Sequence, residues 1–221
     1  MQKFLLIILS LVLSPIAIAK VPVDGVVAVC APYPTITNSS TLPKVFNSTN
    51  NLARPVDSAF YQAEGEKIVI YGRVMDNNCT PISAKIYIWQ ANKEGYVQYK
   101  LKRPGAFKSN VKKWIDPNFA GSGITNSDNM GRFSFISIKP GANGKITPHI
   151  NIMVEHPSFK TLSSKIYFPE EGASKIIDSK NISKPEIIAQ VSAVPEGANQ
   201  DGYQVYFIDI TLSQNVEYNE Y

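Results

Sequence analysis

Ile68-Val69-Ile70-Tyr71-Gly72-Arg73-Val74 sets Ile68, Ile70, Gly72 and Val74 against Val69, Tyr71 and Arg73, the period of two that a pleated strand imposes on its sequence. Asp76-Asn77-Asn78 then supplies a turn. In Ala84-Lys85-Ile86-Tyr87-Ile88-Trp89 the alternation returns, and the turn residues Asn92 to Gly95 stop it, so the two segments together read as a hairpin-like unit.

Further strands are predicted at Gly131 to Ile138, Pro148 to Glu155, Ser163 to Phe168 and Tyr203 to Leu212, each bounded by Gly, Asn, Pro or Ser. Weak helical segments fall near Asn110 to Trp114 and Lys184 to Ala193. Between Tyr96 and Ser127 runs an irregular stretch longer than a simple connection needs, and loops of that length are usually functional. Many short strands and no long helical period predict an all-β fold, an antiparallel two-sheet β-sandwich with long loops. Residues 64–221 form that domain, and residues 20–63, rich in Pro, Asn, Ser and Thr without periodicity, form an extended N-terminal arm lying along it.

The 221 residues carry a formal net charge of +4, too mild and too dispersed for a nucleic-acid partner. Lys3 precedes an apolar run from Phe4 to Leu13, Ser14-Pro15 breaks it, and Ala17-Ile18-Ala19 supplies small residues of the kind a signal peptidase reads. Residues 1–19 therefore read as a secretory signal peptide cleaved after Ala19, with the periplasm or the exterior as destination. No stretch reaches the roughly 18 apolar residues of a transmembrane helix, so no integral membrane segment is expected after cleavage. In an oxidising compartment Cys30 and Cys79 can close one intramolecular disulfide, two separate thiols being the alternative.

Seven fragments occur in one order: Gly65-Glu66-Lys67-Ile68, Gly72-Arg73-Val74, Ile88-Trp89-Gln90-Ala91-Asn92, Asp116-Pro117-Asn118-Phe119, Asn129-Met130-Gly131-Arg132-Phe133, Ile138-Lys139-Pro140-Gly141 and Pro148-His149-Ile150. In this series the chain resembles the intradiol ring-cleavage dioxygenases, and Asn78-Cys79-Thr80-Pro81 resembles their exported branch. The resemblance implies O2-dependent cleavage of catechol-type rings by non-haem Fe(III), the ion being held by two tyrosines and two histidines. Phenolate oxygen suits that hard ion, and residues two apart on a strand can both reach it.

At the family's His-x-His motif the chain reads His149-Ile150-Asn151, so His149 is the implied metal ligand and the second imidazole has become a carboxamide. The place of the first tyrosine is Val97, with Tyr96 beside it and Tyr99 two further on as the candidate phenolate ligands. Asn143 holds the place of the second tyrosine. Ile146 holds that of an arginine that stabilises charge on the substrate, which leaves the adjacent Lys145 as the candidate catalytic cation. Glu155, on the same strand face as His149, offers a rearranged site of Glu, His and Tyr.

Two functions follow from the resemblance. One is an exported intradiol dioxygenase with most iron-ligand positions substituted and Fe(III) as cofactor. The other is a non-catalytic binding or supporting subunit with no cofactor, using the vestigial cleft for a small aromatic ligand, alone, as a homo-oligomer, or beside a ligand-complete partner subunit.

Overall fold

A computed structural model describes residues 30–36, 42–55, 57, 60–97, 115–144, 146–168 and 185–214. The predicted signal peptide, the helical segment near Asn110, Tyr99 and Lys145 lie outside these residues. Eight strands run in the order β1 (Lys67–Met75), β2 (Lys85–Gln90), β3 (Ser122–Asn126), β4 (Arg132–Ile138), β5 (His149–Glu155), β6 (Leu162–Tyr167), β7 (Val194–Ala198) and β8 (Gln204–Thr211). They form two four-stranded sheets, ordered β4-β1-β8-β7 and β3-β2-β5-β6. The chain is thus an all-β two-sheet sandwich, antiparallel except where β1 and β8 run parallel from Ile68 opposite Gln204 to Met75 opposite Thr211.

Alternation builds the core. Ile68, Ile70 and Val74 of β1 and Tyr206, Ile208 and Ile210 of β8 face Ile86 and Ile88 of β2 and Ile150, Ile152 and Val154 of β5, all of them buried. The expected hairpin of the first two strands does not form. Both edges of β1 are taken by β4 and β8, and β2 belongs to the other sheet. After β1 the chain makes a single bridge from Met75 to Pro81, and Ile82 N–H still reaches Val74 C=O at 3.0 Å. Pro81 has no N–H with which to extend a ladder, so the chain crosses to the second sheet. A short helix, α1 (Pro185–Val191), falls inside the predicted helical segment. Pro185 starts it with a preset φ, Glu186 sits in its first turn beside the positive end of the dipole, and Val191 is buried against the sandwich.

The arm closes the sandwich at both sides. Ile124 N–H bonds Thr49 C=O and Ile136 N–H bonds Asn50 C=O, each at 2.9 Å, while Leu52 is fully buried between β3 and β4. On the other side Tyr33 N–H reaches Thr211 C=O and Ile36 N–H reaches Ser163 C=O, both at 2.9 Å. Cys30 and Cys79 are disulfide-bonded, which ties the arm to the turn after β1.

Candidate functional site

The end of β2 sends consecutive side chains to opposite faces. Gln90 points inward, where its amide donates to Ile138 C=O at 2.8 Å and accepts Ser137 O–H at 2.8 Å, latching the two sheets together. Trp89 points outward and is nevertheless only 1% exposed, with the Phe46 ring of the arm edge-on at 5.7 Å. Asn92 then organises the turn, its Oδ1 accepting the N–H groups of Glu94 and Tyr96 at 3.1 and 3.0 Å.

A second loop is zipped to this turn. Gly141 N–H bonds Asn92 C=O at 3.0 Å, and Asn143 Nδ2 donates to Gly95 C=O at 3.3 Å. A Cβ on Gly141 would lie 1.9 Å from the Lys93 carbonyl oxygen, so glycine is required there by close backbone approach. The two stretches that carry Val97 and Asn143, the implied tyrosine places, are therefore held against each other by close contacts of their backbones. Asp116 likewise serves the architecture, since its carboxylate accepts Glu64 N–H at 2.7 Å and Asn118 N–H at 2.9 Å and so fixes the entry to β1.

Across the outer face of the second sheet, register sets Trp89 opposite Asn151 and Asn151 opposite Lys165, with His149 opposite Tyr167 one pair further along. His149 Nδ1 lies 2.7 Å from Thr147 C=O, which selects the tautomer protonated at Nδ1 and turns the lone pair onto Nε2. The imidazole stands 5.6 Å, centroid to centroid, from the fully buried Tyr167 ring. Asn151 Nδ2 donates to Trp89 C=O at 3.0 Å. Its Oδ1 and the Trp89 Nε1 are both buried and have no hydrogen-bond partner among the described residues. Lys165 is also buried, with its ammonium 5.9 Å from the Tyr167 ring centre. Behind this layer Tyr33 donates to Lys165 C=O at 3.0 Å, and burial, with a smaller contribution from Tyr167, pushes its hydroxyl pKa far above the ordinary phenol value.

Of the predicted ligands, the structure places His149 on this outer face and Tyr96, half-buried, in the zipped turn. It removes Glu155 from any shared site with His149. The two stand at opposite ends of β5, about 20 Å apart at the rise of an extended strand, and the Glu155 carboxylate accepts Tyr87 O–H at 2.7 Å. Tyr167 and Lys165 enter the site unpredicted. Alternation gives them a common face, but only the β5–β6 register brings that face beside His149 and Asn151.

Measured against a ferric ion, the donor set of the described residues does not fit. Beside His149 it offers one neutral carboxamide oxygen and the Tyr167 phenol, with Tyr96 in the zipped turn, in place of two phenolates and two imidazoles. Among the described residues no three of His, Cys, Asp and Glu converge as a metal-binding group. The arrangement does offer a hydrogen-bond donor and an acceptor among aromatic rings, a chemistry suited to a hydroxylated ring.

A family model described as Dioxygenase matches residues 43–214. A Rickettsia conorii protein provisionally named a dioxygenase is 40% identical over 127 residues, 56% of this chain and 60% of the relative. The protocatechuate 3,4-dioxygenase beta chain of Burkholderia cepacia is 34% identical over 114 residues, 48% of this chain and 46% of the relative. The chain thus spans 60% or less of the length of these curated relatives. Among solved structures, the dioxygenase domain of a carbohydrate-binding fusion protein from Streptomyces sp. SirexAA-E superposes with a TM-score of 0.60 at 18% identity, covering 83% of this chain and 99% of that one. An intradiol ring-cleavage dioxygenase from Tetranychus urticae gives 0.58 at 18% identity, covering 83% and 95%. These likenesses show the shared sandwich.

Proposed function

The chain belongs to the intradiol ring-cleavage dioxygenase family, and on that premise we propose that it is an exported member whose ferric site has been lost and whose recess binds a small hydroxylated aromatic without oxidising it. One observation carries this reading: Asn151 stands where the second imidazole belongs, its amide is fixed on the Trp89 carbonyl, and its Oδ1 and the Trp89 Nε1 are both buried without a partner among the described residues. A buried donor and acceptor left without partners cost about 1 to 3 kcal/mol each. A ring hydroxyl, which both donates and accepts, relieves such a cost. His149, partly exposed on the same face, supplies aromatic surface for the ring itself. The leader-like N-terminus and the Cys30–Cys79 bond support export, since disulfides persist in oxidising compartments.

The test is calorimetric titration of the mature chain with catechol and protocatechuate under argon, followed by oxygen-electrode traces with the same compounds in air. Heat of binding without oxygen uptake is the expected outcome. Oxygen consumption with ring-cleaved product, from protein without added partner, would overturn the reading.

A further inference from the structure

A concavity opens against β8 of the other sheet, lined by Phe207 and Asp209. Its volume is about 320 Å³, and its walls come from three separate parts of the chain: the start of the arm at Ala31, the end of α1 at Ala189 and Gln190, and Phe207 and Asp209 of β8. Most of that wall is apolar, Met75 and Val194 included. Among the described residues that line it, Asp209 is the one acidic or basic side chain. One carboxylate oxygen, Oδ2, accepts from the Arg73 guanidinium at 3.2 Å. The other, Oδ1, is buried without a hydrogen-bond partner among the described residues.

We propose that this cleft binds a small protonated amine with an apolar body, an alkyl- or arylalkylammonium, through Asp209 and the ring of Phe207. The carboxylate torsion of aspartate is soft, so a small rotation turns Oδ1 toward the cleft. An ammonium then supplies the donor that the carboxylate lacks, in a hydrogen bond strengthened by charge. Phe207, two residues earlier on the same face of β8, offers the cation its ring, and the apolar walls take up the hydrocarbon. Arg73 does not cancel the site. Its side chain is half exposed, where water screens the guanidinium, while Asp209 is 31% exposed and its Oδ1 is shut away from water. The volume accommodates a ligand at the small end of the usual range for such pockets.

The test uses the mature chain, amide-resolved NMR, and two probes of matched shape, phenethylammonium and phenethyl alcohol. The ammonium should shift amides of Phe207, Asp209, Ala189 and Gln190 and bind about tenfold more tightly than the alcohol, the size of one charged hydrogen bond. Asp209→Asn should abolish that preference with the rest of the spectrum unchanged. Arg73→Gln, which removes the competing cation, should raise ammonium affinity about threefold. Equal affinity for the two probes, shifts located elsewhere, no binding at millimolar concentration, or an Arg73→Gln variant with weakened binding would each overturn the proposal. Catechol binding at the Asn151 recess is read from different amides, so either site can fail without the other.

Discussion

Replacing both cysteines by serine, Cys30→Ser with Cys79→Ser, removes a cross-link between residues 49 apart in sequence. In the chain-entropy description, a loop of that size withholds about 14 cal/mol/K from the unfolded ensemble, or about 4 kcal/mol at 25 °C. Folded contacts oppose only part of that loss. Tyr33 and Ile36 keep their places in the core and their backbone bonds to Thr211 and Ser163. Cys79 adopts φ +60°, a left-handed conformation that serine inherits at similar cost, so backbone strain cancels in the comparison. Urea titration of the double variant beside the parent should therefore show a stability lower by about 4 kcal/mol with an equal or steeper dependence on denaturant, since the unfolded chain is freer, and heating should show a midpoint lower by about 10 °C. A loss under about 1 kcal/mol would refute the reasoning. A shallower denaturant slope would show instead that the arm detaches from the native state.

Two further perturbations probe the recess and the layer behind it. Because the Tyr33 hydroxyl pKa is raised in the folded state, its contribution is fully present below about pH 10 and is lost as pH rises further, by about 1.4 kcal/mol per pH unit. Tyr33→Phe should lose about 1 kcal/mol at neutral pH, with the hydrogen bond to Lys165 C=O, and should flatten that alkaline slope; urea unfolding at pH 7 and above pH 10 checks it, an unaltered slope being the adverse result. Asn151→His places a second imidazole on the face of His149, and calorimetry should find Zn2+ affinity raised at least about tenfold. Unchanged affinity would show that the two side chains do not converge.

The alternating segments were legible because the aliphatic positions of β1, β2, β4, β5 and β8 carry enough Ile, Val and Phe to mark one buried face. Two strands escaped. Ser122-Gly123-Ile124-Thr125-Asn126 offers a single aliphatic residue, and as β3 it is held by edge pairing to β2 and to the arm. Val194-Pro195-Glu196-Gly197-Ala198 contains both residues that disfavour strands, and it forms an exposed edge with a register shift between Pro195 and Gly197. Pairing partners were beyond reach for a different reason. Nothing local to Ile68–Val74 tells that its neighbours come from about 65 and about 135 residues downstream, since the favourable contacts of non-local pairing belong to the folded state alone. The same holds at the site. His149 and Asn151 could be read from their motif, whereas Tyr167 and Lys165 joined them only through the β5–β6 register, and Glu155 was separated from them by simple distance along one strand.

Metal analysis of the mature chain, purified after expression in iron-replete medium, bears most directly on the proposal that the ferric site is lost. The donor set of His149, Asn151 and Tyr167 predicts iron far below one atom per chain and a colourless protein without a tyrosinate-to-iron charge-transfer band. One tightly held ferric ion per chain, with that band in the visible spectrum, would contradict it.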